Sequence, residues 1–132
     1  MAKEERQLIC PCGSGLIYPD CCGRCHGGNN ASDAEALMRS RYTAYVMKQT
    51  DHLLASWHPS SRPAILDLES PPQFQWIGLK VISHQQQDHD HATVEFVVRY
   101  KINGRAFHMQ EISRFVREHG RWFYVDGEQV PR

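Results

Sequence analysis

The sequence predicts an α+β fold, in which helices pack on one face of a bent antiparallel sheet and a short cysteine-rich segment precedes this body. Two observations support the prediction. Apolar residues recur at helical spacing in the first half of the chain, and from Phe74 onward they alternate with a period of two. Helices followed by hairpin-connected strands are the order typical of α+β domains.

All five cysteines of the 132-residue chain lie in one stretch, CPCGSGLIYPDCCGRC, at positions 10–25. Clustered thiols, odd in number, are more typical of a metal site than of closed disulfides in a reducing compartment. Four thiolates in a tetrahedron are the ligands that zinc prefers, so we expect one zinc ion per chain. Three cations are expected to offset the negative charge of the thiolates: Lys3 and Arg6 before the stretch, and Arg24 within it.

The run Gly27-Gly28-Asn29-Asn30 predicts a hinge. We therefore divide the chain into a zinc-binding segment, residues 1–30, and an α+β domain, residues 31–132.

Two helices are predicted after the hinge. The sequence Ser32-Asp-Ala-Glu35 is a capping box, which predicts a helix from about residue 33 to about residue 49. Arg41 lies within the apolar stripe of this helix, so we expect it to be buried. A shorter helix is predicted from Asp51 to Trp57, because a proline follows soon after.

The second half of the chain predicts strands. The alternation slips near Ile77–Gly78, which indicates a bulge that bends the first strand. The polar stretch HQQQDHDH, residues 84–91, is interpreted as a solvated loop in preference to a second metal site. Asn103–Gly104 and His119–Gly120 each join two alternating runs, and both are predicted to be hairpin turns.

The two turns predict which residues share a face of the sheet. Counting back from the first turn pairs Phe96 with Glu111, and counting from the second pairs Ser113 with Asp126. One largely apolar face would then contain two carboxylates. The interior next to it is expected to hold the remaining candidates for a pocket: Arg41, Tyr45, Trp57, Trp122 and Tyr124.

Two interpretations of Glu111 and Asp126 follow. Two carboxylates in an apolar cavity can act as a general acid and a general base, because their pKa values are pushed apart. Alternatively, they are structural partners of Arg41, which cannot shed its proton and must find acceptors when it is buried. We favour the structural interpretation and expect Arg41 to reach Glu111, Asp126 or both.

The motif C-x-C-G-S-G, followed by a Cys-Cys pair, resembles the SEC-C motif known from the SecA translocation ATPase. The stretches LMRSRYTAYVMKQTDHLLASWHP (37–59) and EISRFVREHGRWFYVDG (111–127) resemble the YchJ-type family of uncharacterised bacterial proteins. This resemblance implies a SEC-C zinc segment followed by a cone-shaped domain similar to nuclear transport factor two. It also implies four zinc ligands, with Cys25 and His26 as alternates outside the motif: Cys10, Cys12, Cys21 and Cys22.

Composition disfavours some partners. Basic and acidic residues number fifteen each, whereas a nucleic-acid-binding protein usually has a basic excess. No apolar run is long enough to span a membrane, and the charged start has no signal-peptide core, so we expect a cytoplasmic protein.

Two classes of function remain. The first, which we favour, is an adaptor whose zinc segment docks on a protein or ribosomal partner, as the SecA resemblance implies, with room for a small apolar ligand in the cone. The second is a small cavity enzyme, an isomerase, dehydratase or hydrolase, that uses Glu111 and Asp126. The sequence has no nucleophile elbow and no phosphate-binding loop, which weighs against the enzyme.

Overall fold

A computed structural model describes residues 8–131 of the chain. A short 3-10 turn and three helices are followed by four strands, which form one antiparallel sheet in the order of the chain. The α+β prediction is thereby confirmed. The elements are the turn Tyr18–Asp20, α1 (Cys22–His26), α2 (Ala34–Met47), α3 (Thr50–Ala55), β1 (Gln75–Asp88), β2 (His91–Ile102), β3 (Arg105–Glu118) and β4 (Arg121–Gln129).

The central helix, α2, begins one residue later than a cap at Ser32 would place it. Asp33 is the N-cap, and its side chain accepts a hydrogen bond of 2.8 Å from the backbone N–H of Ala36. The helix ends at Met47, because Lys48 adopts the left-handed conformation with φ of 57°. It packs on the sheet and contributes Leu37, Met38 and Tyr42 to the core.

The hairpin between β2 and β3 has the predicted register along its whole length. Ile102 pairs with Arg105, and Phe96 pairs with Glu111. Both central residues of the turn, Asn103 and Gly104, have positive φ, as a type I′ turn requires. The predicted bulge in β1 is also confirmed, because the pairing with β2 shifts between Trp76 and Gly78.

The prediction of a loop at residues 84–91 is wrong. Strand β1 continues to Asp88, and β2 begins at His91 after a two-residue turn. Pairs such as His84 with Val94 continue the backbone ladder here. The absence of apolar alternation reflects side chains that are mostly exposed, and it does not indicate the absence of a strand.

The register predicted between β3 and β4 holds only near the turn. Phe115 pairs with Tyr124 as expected, but Arg114 then pairs with Asp126, which leaves Val125 as a bulge. One extra residue moves every later side chain to the opposite face. Glu111 and Asp126 therefore lie on opposite faces of the sheet, and the prediction that they share one is wrong.

The cysteine segment packs directly against α2. Cys10, Cys12 and Cys22 belong to the same apolar cluster as Met38 and Tyr42. Among the helices of residues 8–131, none combines the length and apolar character needed to cross a bilayer.

Candidate metal centre and cavity

Four cysteine sulfur atoms meet beside α2. The Sγ atoms of Cys10, Cys12, Cys21 and Cys22 all lie within 4.8 Å of one another. Cys10, Cys12 and Cys22 are at most 3% exposed. In a regular tetrahedron with zinc–sulfur bonds of about 2.3 Å, the sulfur atoms lie about 3.8 Å apart. The cluster is close to that size, so these residues fit a metal ion held by four thiolates.

A tight loop brings the cysteines together. The backbone N–H of Cys10 donates to the carbonyl of Leu16, which closes the loop on itself. Gly13 within it has φ of 84° and faces the carbonyl of Leu79, so a larger residue there would be strained. The Cys21–Cys22 pair lies at the start of α1. Loop and helix therefore present their sulfur atoms to the same point.

Two residues of α2 contact the cluster, and sequence reasoning missed both. The Thr43 hydroxyl donates to Cys22 Sγ at 3.3 Å and lies 3.6 Å from Cys10 Sγ. The Arg39 guanidinium donates to the carbonyl of Cys12 and lies 3.9 Å from its Sγ. The position of Arg39 at the edge of the helical stripe was the available signal. Lys3 and Arg6, which were also expected to offset the negative charge of the thiolates, lie outside the described residues.

The thiols are electrostatically coupled. A hydrogen bond from Cys22 lowers the pKa of the Cys12 thiol to about 4, although burial opposes ionisation. The same hydrogen bond, reinforced by burial, raises the pKa of Cys22. Burial also raises the pKa of Cys21. Burial and mutual repulsion therefore disfavour four thiolates in one place, and a divalent metal ion would offset their charge.

The alternates Cys25 and His26 lie outside the cluster. Both ring nitrogens of His26 already have partners, since Nδ1 is 2.7 Å from the Tyr18 hydroxyl and Nε2 is 2.8 Å from the Ser40 carbonyl oxygen. His26 therefore fastens α1 to α2, and the Cys25 thiol has a pKa raised by burial.

A cavity of about 720 Å³ lies between α2, the sheet and the segment 67–73. Among the residues predicted for a pocket, Arg41, Tyr45, Glu111 and Tyr124 line it. Trp57 and Trp122 are not part of its lining. Trp57 packs its ring edge-on against Tyr124, with ring centroids 5.2 Å apart.

Arg41 is buried as predicted, at 6% exposure, but its predicted ion pair is wrong. Its Nη1 donates to the Leu53 carbonyl at 2.8 Å and to the Ser56 hydroxyl at 2.7 Å. Its guanidinium carbon lies 4.9 Å from the ring centroid of Trp57 and 4.4 Å from that of Tyr124. Burial lowers the pKa of Arg41 to about 10.

Asp126 is absent from the cavity. Its carboxylate accepts a hydrogen bond of 2.6 Å from Arg114, which also binds Glu128, on the opposite face of the sheet. The bulge at Val125 is the physical reason. An acid–base pair of Glu111 and Asp126 is therefore not formed.

Glu111 is held at the cavity by two neighbours. Its carboxylate accepts a hydrogen bond of 2.8 Å from the Ser113 hydroxyl. Gly127 pairs with Ser113 across the sheet, and a Cβ at Gly127 would overlap the Glu111 carboxylate. The glycine thus makes room for Glu111.

Comparison with known proteins agrees with this architecture. The protein-family model described as the middle NTF2-like domain of YchJ matches residues 33–127 of this chain. A UPF0225 protein of Bordetella pertussis is 53% identical over 122 residues, which cover 90% of this chain and 91% of that protein. A UPF0225 protein of Methylibium petroleiphilum is 53% identical over 130 residues, which cover 97% of this chain and 93% of that protein.

Two solved structures are similar over nearly the whole chain. The solution structure of a SEC-C motif containing protein from Rhodopseudomonas palustris has a TM-score of 0.82 at 33% identity, and covers 94% of this chain and 100% of that one. The crystal structure of a SEC-C motif containing protein from Psychrobacter arcticus has a TM-score of 0.76 at 27% identity, and covers 93% of this chain and 83% of that one. The chain therefore belongs to the YchJ-type family, and its NTF2-like domain is joined to a cysteine-rich segment like that of the SEC-C motif proteins.

Proposed function

We propose that the chain is a zinc-binding adaptor, in which zinc fixes the cysteine segment on α2 and the outer surface of that segment binds a partner protein. The convergence of four sulfur atoms within 4.8 Å supports the zinc site. Soft thiolates in a tetrahedral set select zinc over the harder divalent ions. Such a site has no open coordination position, which favours a structural role for the metal and a binding role for the protein.

An exposed apolar surface supports the docking role. Leu8, Ile9 and Leu16 are 77%, 59% and 53% exposed. They lie on two backbone segments that run side by side, because Ile9 forms a bridge with Ile17 and the carbonyl of Leu16 accepts from Cys10. Adjacent apolar side chains that face water are typical of protein contacts. We name Leu8, Ile9 and Leu16 the apolar edge, and we infer that it binds a cytoplasmic protein, free or within a ribosome.

Metal content tests the ligand set. We expect one zinc ion per chain in the wild type and in Cys25→Ser, and a loss of zinc in Cys22→Ser. The reason is that Cys22 lies in the cluster and Cys25 does not. Elemental analysis of the three purified proteins measures this. Retention of zinc by Cys22→Ser together with loss from Cys25→Ser would show that Cys25 is the fourth ligand.

Crosslinked capture from a cell lysate tests the adaptor. The double variant Leu8→Ser/Leu16→Ser should keep its zinc but lose the proteins that the wild type captures. Ile65→Ser is the matched control, because Ile65 is an apolar side chain at 82% exposure between α3 and β1. It should capture the same proteins as the wild type. If the double variant also captured them, the apolar edge would not be the docking surface.

A further inference from the structure

The cavity has the size and walls of a small-molecule site. Its volume of about 720 Å³ is within the range in which proteins bury organic ligands. Aromatic side chains form one wall. Phe74 stacks on Trp76 with centroids 5.2 Å apart and planes at 15°, and Tyr100 lies 5.7 Å from Trp76. Tyr42 and Tyr45 pack on the same indole at 6.0 and 5.8 Å. Such a wall favours a flat ring over an aliphatic chain.

The lining also includes two cations and two carboxylates. Lys48 and Asp67 are exposed to water, whereas Arg41 is buried and Glu111 is half-buried, so the last two decide the charge inside the cavity. Arg41 and Glu111 both line the cavity, together with the phenols of Tyr45 and Tyr124. The two hydrogen bonds of Arg41 Nη1 go to the neutral Leu53 carbonyl and Ser56 hydroxyl, so the Glu111 carboxylate acts on its positive charge only through space. Burial, and then Glu111, raise the pKa of Tyr124 to about 12, so this phenol stays neutral.

These charges limit the ligand. Arg41 would attract an anion, but Glu111 would repel it. A cation would be attracted by Glu111 and repelled by Arg41. A buried charge without a good partner is costly. A neutral ligand that offers an acceptor to Arg41 and a donor to Glu111 satisfies both groups without this cost.

We propose that the cavity binds a neutral, planar, conjugated small molecule that carries a hydrogen-bond acceptor next to a donor, as a ring lactam does. The carbonyl oxygen accepts from Arg41, the N–H donates to Glu111, and the ring lies against the aromatic wall. None of the four clustered cysteines lines the cavity, so the small molecule would be a second ligand of the proposed adaptor.

Three probes of similar size separate the alternatives. Isoquinolinone carries the acceptor and the donor, its N-methyl derivative lacks the donor, and naphthoate replaces both with a negative charge. The readout is the indole N–H resonance of Trp76, assigned by comparison with Trp76→Phe. Isoquinolinone should shift this resonance in a saturable way. The N-methyl derivative should bind roughly tenfold more weakly, since it has no N–H to donate to the Glu111 carboxylate.

A charge variant tests the role of Glu111 separately from folding. Glu111→Gln keeps an acceptor oxygen but removes the repulsion of anions, so the affinity for naphthoate relative to isoquinolinone should rise by about tenfold or more. Asp126→Asn makes the same change of charge on the opposite face of the sheet, and it should leave this ratio unchanged. Three results would overturn the proposal: naphthoate binding the wild type as tightly as isoquinolinone, equal effects of the two variants, or no shift of the Trp76 resonance by any probe at millimolar concentration.

Discussion

Arg41 is a buried cation whose hydrogen bonds run to neutral groups. It donates hydrogen bonds to the Leu53 carbonyl and the Ser56 hydroxyl at the end of α3. Its guanidinium also lies over the rings of Trp57 and Tyr124. A guanidinium can be held this way because it is weakly hydrated and stacks on aromatic rings. Arg41 thus ties α2 to the end of α3 and to β4.

Removing this side chain should destabilise the fold. Hydrogen bonds from charged groups contribute about 1.5–3 kcal/mol each, so Arg41→Gln should cost about 3 kcal/mol of unfolding free energy. Glu111→Gln should cost less, about 1 kcal/mol, because glutamine can also accept the hydrogen bond from Ser113. Urea unfolding of both variants measures the difference.

The double variant provides the control. Because Arg41 and Glu111 interact only through space, without a hydrogen bond between them, the coupling between the two effects should stay at about 0.5 kcal/mol. A cost of roughly 3–5 kcal/mol for Glu111→Gln alone, with strong coupling to Arg41→Gln, would indicate a buried ion pair and contradict the arrangement described here.

At the scale of elements, the turn residues in the sequence predicted where both hairpins turn. They predicted the strand pairing of β2 with β3, but not that of β3 with β4 beyond Phe115 and Tyr124. Asn103–Gly104 fixed the register of β2 and β3 down to the pair His91 and Val116. The bulge at Val125 could not be predicted, since nothing in the sequence Tyr-Val-Asp marks an extra residue. It has a structural reason, because it sets Gly127 beside Glu111 and directs Asp126 to Arg114.

The start of α2 gives a test at this scale. The capping box in the sequence favoured Ser32, but the Asp33 carboxylate makes the bond to Ala36. Asp33→Ala should therefore lower the unfolding free energy by about 1 kcal/mol. Ser32→Ala, the matched control, should change it by only a few tenths of a kcal/mol. Denaturant melts compare the two, and a larger loss for Ser32→Ala would show that the cap is Ser32.

For the whole molecule, the main feature is that the cysteine segment and the NTF2-like domain share a core. Cys10, Cys12 and Cys22 pack with Met38 and Tyr42, and Thr43 hydrogen-bonds to the cluster. The sequence predicted the cysteine cluster and the fold of the domain. It could not predict this packing, because the Gly-Gly-Asn-Asn run looks like a free hinge and the contacts depend on how the loop folds back on α2.

A metal ion bound by the cysteine cluster would affect the stability of the whole chain, because the cluster and the domain share a core. Binding of a structural metal contributes directly to folding free energy. If zinc holds the four thiolates together beside Thr43 and Arg39, its removal should loosen α2 as well as the segment.

X-ray absorption at the zinc edge of the purified protein tests the central claim most directly. We predict one zinc ion per chain, with a first shell of four sulfur atoms at about 2.3 Å. A first shell containing nitrogen or oxygen, fewer than four sulfur atoms, or a protein that purifies with no zinc would contradict the four-cysteine site.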